Sequence, residues 1–289
     1  ELLRELVQRP DNDSWRGPSG SLGKALLEPL IASGMLDERE RVVFVPLDVR
    51  HYLPVAVLRA GETEQLLVER QEIAYLPSAA HLVYRSGDRA NGNGLLAMAP
   101  ESTRLRFAAE EARSVAELFP EGNRLLVGDD ATEAAFKQAA GDFDKLHLAT
   151  HSYWNRLNPL LSGLELEPGG GEDGRLEVHE ILGLDLTTDL VTLSACETAL
   201  GSSYFAEVPT GDDFVGLTRA FLHAGAGAVL ASLWEVIDRS TLEMMRDLYG
   251  RLVGSPPAAA LATAQRELMK NEELSHPYHW APFVLVGVD

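Results

Sequence analysis

The chain has 289 residues, 45% of them apolar and 24% charged, a balance that allows a sizeable core without disulfides or metals. Its 44 acidic against 25 basic side chains give a formal net charge of −19, which repels phosphates and argues against nucleic acid and anionic membrane surfaces as partners. A single cysteine excludes an intrachain disulfide and a cysteine-rich zinc site, and neither a run of 18 apolar residues nor a signal peptide is present, so a cytoplasmic location is expected.

Leu22, Leu26, Leu27, Leu30 and Ile31 recur at helical spacing and predict a helix over 21–35, with Gly34 as its stop. The runs VVFVPL (42–47), HYLPVAVL (51–58), LLVER (66–70) and EIAYLPS (72–78) read as strands, including an antiparallel hairpin or two. SGDRANGNG (86–94) reads as a mobile loop that divides an amino-terminal subdomain, 1–90, from a larger second unit, 91–289.

Beyond that loop, strand and helix alternate, the rhythm of a parallel sheet covered on both faces. LLAMAP, a helix over 105–118, RLLVG, a helix over 131–139 and DKLHLATH come first. GLELEP (163–168), the turn GGGEDG, VHEILGL and the strand DLVTLSAC follow. Then come a helix over 211–224, GAVLASLW (227–234), helices near 239–253 and 257–270, and a last strand over 280–287, for about six strands in the second unit.

Two of these strands each deliver a reactive side chain at the carboxyl end, where ligands gather in open parallel sheets: KLHLATH ends on His151 and LVTLSAC on Cys196, 45 residues later. A thiol becomes a strong nucleophile when an imidazole takes its proton, or when a helical turn such as one started by ETALG stabilises the thiolate. Taken alone, Cys196 reads as a small buried hydrophobe and His151 as a hydrogen-bonded edge histidine. His147 lies on the same strand face but deeper and is read as structural, and the pair His147 and His151 lacks a third metal ligand. No G-x-S-x-G elbow, P-loop or dinucleotide fingerprint occurs, and no metal or cofactor site is expected. The segment 202–213 reads as a connection or a gate, and Trp154 and Trp234 as packing or cleft lining.

The segments LHLATHS, LVTLSACETALG, LTRAFLHAGAGAVLASLWEVID and HPYHWAPFVLVG resemble, in order and spacing, the CHAT domain, a relative of caspases and separase often fused to TPR repeats. Weaker similarity in VVFVPLDVRHYLPVAVL and IAYLPSAAHL extends the resemblance over roughly 20–288. It implies an α/β fold, a caspase-like mostly parallel sheet of about six strands flanked by helices, with a smaller amino-terminal α/β subdomain. It also implies a cysteine endopeptidase with His151 and Cys196 as the dyad and the backbone N–H groups of Ser152 and Cys196 as the oxyanion hole. Ser152 stands where many relatives have glycine, and a serine keeps the N–H. SLWEVID resembles the separase segment that supplies an acidic residue to the P1 pocket, which puts Glu235, with Asp238 behind it, as candidates for holding a basic P1 side chain. A solvated loop carboxylate is the other reading of Glu235. A protein substrate, a TPR or other regulatory region in cis or in trans, and a bacterial source are further expectations. The rival to the enzyme is a catalytically silent caspase-like interaction module.

Overall fold

The computed structural model describes residues 1–59, 65–82, 94–102, 105–155, 157–195, 212–234 and 238–287. Three helices open the chain: α1 (Leu2–Gln8), α2 (Arg16–Leu26) and α3 (Glu28–Ala32). The helix expected over 21–35 is therefore broken, with Leu27 between its halves. Pro29 explains the break, because it removes a donor from any continuous helix yet suits the first turn of a new one.

Strand β1 (Arg41–Phe44) forms as expected, but HYLPVAVL does not extend. It folds into 3₁₀ turns at Asp48–Tyr52 and Val55–Val57, pinned by the buried Tyr75 hydroxyl. That oxygen accepts from Val55 N at 3.0 Å and donates to Leu53 O at 2.8 Å. LLVER is corrected to a helical turn, α4 (Leu67–Arg70), where the Glu69 carboxylate accepts from Leu66 N at 2.6 Å. Strand β2 (Glu72–Tyr75) then pairs with β1 in parallel, so the expected hairpin reduces to one antiparallel bridge, Arg59 to Leu66.

The alternation downstream follows the sequence closely: β3 (Leu95–Ala99), α5 (Ala108–Glu117), β4 (Asn123–Val127), α6 (Glu133–Ala139) and β5 (Lys145–Thr150). Thr132 caps α6 by accepting from Ala135 N at 3.1 Å. Next come β6 (Ser152–Tyr153), β7 (Gly163–Glu165), β8 (Arg175–Glu177) and α7 (Val178–Ile181). The chain continues through β9 (Leu190–Ala195), α8 (Asp212–His223), β10 (Ala228–Ser232), α9 (Asp238–Leu252), α10 (Pro257–Leu268), α11 (Pro277–Trp280) and β11 (Phe283–Gly287).

Among the described residues, eight strands form one sheet in the order β1-β2-β11-β10-β9-β5-β3-β4, and β6-β7-β8 form a small antiparallel sheet. Six of the eight lie within residues 91–289, in line with the six or so that the sequence of that stretch predicts, while GLELEP belongs to the small sheet instead. All neighbouring pairs are parallel except β10 with β11. The direction therefore reverses once, and the carboxyl ends of β3, β5, β9 and β10 share an edge with the starts of β1, β2 and β11.

Strands β3 and β10 are buried along their whole length, as an interior position between two helical layers requires. Each fully buried Leu or Val in them stabilises the fold by about 2 kcal/mol. Helix α10 ties the first strands to the rest: Arg266 Nε donates to Val68 O at 2.6 Å, and Gln265 Nε2 donates to Trp280 O and Phe283 O at 3.0 Å each. The last strand is thus held where it enters the middle of the sheet. No helix among the described residues is long and apolar enough to cross a membrane.

Candidate active site

Strands β5 and β9 are parallel neighbours with His147 opposite Thr192, Ala149 opposite Ser194 and Thr150 opposite Ala195. His151 is the next residue after β5 and is half-buried. Its carbonyl accepts from Glu165 N at 2.9 Å, and the Thr150 hydroxyl donates to Glu165 O. Both bonds anchor the turn that leaves the large sheet for the small one. In the β6–β7 ladder Ser152 faces Leu164 as a non-hydrogen-bonded pair, since the bond runs from Glu165 N to His151 O. The Ser152 N–H is therefore not used by that ladder, and its side chain is buried with no hydrogen-bond partner for Oγ. Cys196 and Glu235 lie outside the described residues, as does most of 202–213, and Asp238 is the first residue of α9.

His147 is fully buried, in agreement with a structural role. Its Nδ1 lies 3.2 Å from the Tyr249 hydroxyl, which reaches Thr192 Oγ1 at 2.9 Å. Burial pushes the Tyr249 phenol well above its ordinary range, so it stays protonated. Its Nε2 lies 3.0 Å from Glu111 Oε1, in a contact whose angle falls outside hydrogen-bonding geometry and leaves neither atom with a hydrogen bond. Glu111 is 3% exposed. It lines a cavity of about 10 Å³ with Phe107, Ala108, Ala149, Ser194 and Thr241, between helices α5 and α9 and the sheet.

Sequence reasoning missed Glu111 and Tyr249. A signal for the first exists: Ala108, Glu111, Ala112 and Val115 form the buried stripe of α5, and a carboxylate inside an apolar stripe calls for a partner. Tyr249 carries no such mark, because it meets His147 across 102 residues of chain.

A second polar cluster buttresses the small sheet. Lys137 Nζ lies 2.6 Å from Glu133 Oε1 and donates to Glu172 at 2.9 Å and Glu180 at 2.7 Å. Glu133, fully buried, also accepts from Gly174 N at 2.8 Å, in the turn that leads into β8. Gly174 has a φ of +89°, and a Cβ there would sit 2.6 Å from Leu166 O, so the turn requires glycine. Burial pushes the Glu133 carboxyl up against the pull of Lys137. Burial also acts to raise Glu180, but hydrogen bonds from Lys137 and Glu177 N outweigh it and hold that carboxyl low. Glu133, Glu172 and Glu180 have the separation of metal ligands, but the Lys137 ammonium already sits among them. Glu177, His179 and Glu180 form a second such group, with His179 exposed.

Residues 16–288 match the CHAT domain, and the chain belongs to that family. Tetratricopeptide repeat protein 28 of Mus musculus is 26% identical over 342 aligned positions, which take in 98% of this chain and 14% of the mouse protein. Its Homo sapiens counterpart is 26% identical over 312 positions, 89% of this chain and 12% of the relative. The chain thus spans about one seventh of the length of these curated relatives. Among solved structures, separase in the Saccharomyces cerevisiae separase–securin complex superposes with a TM-score of 0.60 at 14% identity, covering 86% of this chain and 15% of that one. The Arg-specific cysteine proteinase gingipain R superposes with a TM-score of 0.55 at 9% identity, covering 80% of this chain and 57% of that one. At these identities the superpositions establish the fold: a mostly parallel caspase-like sheet flanked by helices.

Proposed function

We propose that this CHAT domain is a cysteine endopeptidase acting on polypeptides through Cys196 and His151, under the control of a TPR or other regulatory region. The observation that carries the reading is the in-register pairing of β5 with β9, which brings Thr150 opposite Ala195, the residues that immediately precede His151 and Cys196 in sequence. The Cys196 thiolate attacks the scissile carbonyl, and the His151 imidazolium gives its proton to the leaving amine, which departs to leave a thioester. His151 then takes a proton from water, whose oxygen adds to the thioester carbonyl and releases a carboxylate and the thiol. The Ser152 N–H, left over by the β6–β7 ladder, and the Cys196 N–H hold the oxyanion, with about 3 kcal/mol per donor as the usual scale. A peptidyl electrophile is expected to label the wild-type protein on Cys196 and to leave the Cys196→Ala variant unlabelled; equal labelling of both rules the hydrolase out and leaves the silent module.

Glu235 and Asp238 add a preference for a basic residue before the cut. Asp238 opens α9, three residues after Glu235 in sequence, so the two carboxylates belong to one segment that follows β10. Glu235→Gln is expected to lower kcat/KM for basic-P1 peptides by roughly 10-fold or more and to spare neutral ones. Parallel losses on both substrate sets would remove Glu235 from the pocket.

A further inference from the structure

From a cavity of about 350 Å³ between the α1–α2 connection, α4 and the α10–α11 connection, we infer that the substrate polypeptide has a second anchor, a lysine or arginine side chain held there at a distance from the cut. The inference rests on the hydrolytic reading above and sharpens its substrate class. Helix α4 leads into β2 and α11 into β11, and the starts of both strands lie on the edge that carries the carboxyl ends of β5 and β9. The cavity therefore lies along the edge of the candidate dyad. Helix α11 is also tied to the segment that leaves β10, since Trp234 Nε1 donates to Tyr278 O at 3.1 Å and Leu233 N to Pro282 O at 2.9 Å. Strand β2 is three places from β9 in the sheet, roughly 14 Å at about 4.8 Å per strand, a span that an extended peptide covers in about four to six residues.

Floor and rim differ in character. Trp15, Leu66, Pro277 and Trp280 are buried and apolar, whereas Asp13, Arg16 and Glu69 are exposed. Arg16 is already engaged: its Nε lies 3.2 Å from Asp13 Oδ1, and its Cζ lies over the Trp15 ring, 4.9 Å from the centroid. Glu69 Oε2 accepts from Leu66 N at 2.6 Å, and the carboxylate forms no ion pair among the described residues. His276, another lining residue, adds no charge, because its Nδ1 accepts from Tyr278 N and its Nε2 donates to Asn12 O, both at 3.1 Å. Burial lowers the pKa of that imidazole, which keeps it neutral at pH 7.

Two carboxylates against one paired cation leave the rim negative, on a chain whose net charge is −19. The floor suits an aliphatic stem and the rim a cation, which together are the make-up of lysine and arginine side chains. Arg16 against Trp15 already displays that arrangement on this surface. The volume is that of a small ligand pocket and exceeds what one such side chain fills, so part of the substrate backbone fits with it.

The test has two arms. In the first, N-acetyl-arginine methylamide and its citrulline counterpart, uncharged and of nearly the same shape, are titrated into Cys196→Ala protein while the indole N–H resonances of Trp15 and Trp280 are followed. The arginine compound is expected to shift them at least about fivefold more than the citrulline one at equal concentration. Glu69→Gln, whose amide oxygen can still accept from Leu66 N, is expected to lose that difference. Asp13→Asn, which strips Arg16 of its partner and leaves an unpaired cation at the rim, takes its place should Glu69→Gln not fold. Equal shifts for the two compounds, or a difference that survives the substitution, would overturn the inference. In the second arm, cut sites in a random peptide library are mapped by mass spectrometry. Lysine and arginine are expected to be enriched at least about threefold at one position between about four and six residues from the cut, and the same variant to remove the enrichment. Cleavage by wild type without such an enrichment defeats this inference alone, whereas no cleavage beyond that of Cys196→Ala defeats the hydrolytic reading and this inference with it.

Discussion

His151→Ala is expected to lower kcat/KM by about 10³-fold while leaving the melting temperature close to that of the wild type. The substitution removes both the group that draws the proton from Cys196 and the one that protonates the leaving amine. The backbone at this position is fixed through its carbonyl, which accepts from Glu165 N at 2.9 Å whatever side chain is present. The imidazole is half-buried just past the end of β5, so its loss empties less enclosed space than the loss of a fully buried side chain. Because nucleophile and base act as a unit, the double variant with Cys196→Ala should fall no further than Cys196→Ala alone. Steady-state cleavage of a fluorogenic peptide alongside a thermal melt checks the expectation. A 10³-fold loss accompanied by global unfolding, or a loss of less than tenfold with the fold intact, would contradict it.

Lys137→Met is expected to destabilise the fold by about 3 kcal/mol. One ammonium serves Glu133, Glu172 and Glu180, and Glu133 is fully buried. Methionine preserves the stem and removes the only cation within ion-pairing distance of Glu133 among the described residues. Burial acts to lower the Lys137 pKa, but the three glutamate carboxylates around it outweigh burial and hold the ammonium well above its ordinary range. A base whose folded pKa is raised contributes stability that is complete below its unfolded pKa and is lost as pH rises through the folded one. A urea titration at pH 7 therefore reads the whole of the Lys137 contribution. Adding Glu133→Gln should recover part of the loss, because a neutral amide no longer strands a buried charge, and the double-mutant cycle measures that coupling. Equal midpoints for wild type and Lys137→Met would show that the cluster is ornamental.

The two strands that precede the candidate dyad were legible because each is a short apolar run, and a run of that length and composition leaves little reading other than a buried strand. The parallel order of the second half followed from alternating periods of two and 3.6. LLVER failed for the opposite reason: a three-residue apolar patch fits a strand or one helical turn equally, and a capping contact between Leu66 N and Glu69 decided it. HYLPVAVL failed because its apolar residues are buried through 3₁₀ turns organised by Tyr75, some 20 residues away in sequence. The environment beneath the edge was illegible for a related reason. Glu111, His147, Thr192 and Tyr249 come from two helices and two strands, and no local pattern links them.

The placement of β11 bears on how the polypeptide is made. It is the last in sequence of the described strands, yet it lies between β2 and β10, so that β1 and β2 reach the remaining strands of the sheet only through it. A nascent chain halted before Phe283 holds two disconnected pieces of β-structure whose facing borders have open backbone donors and acceptors. Joining them waits on contacts such as Val286 with Tyr75, far apart in sequence and of the kind that is slow to form. Truncation before Phe283 thus parts β1 and β2 from the other strands, where the loss of a peripheral strand would only trim the sheet.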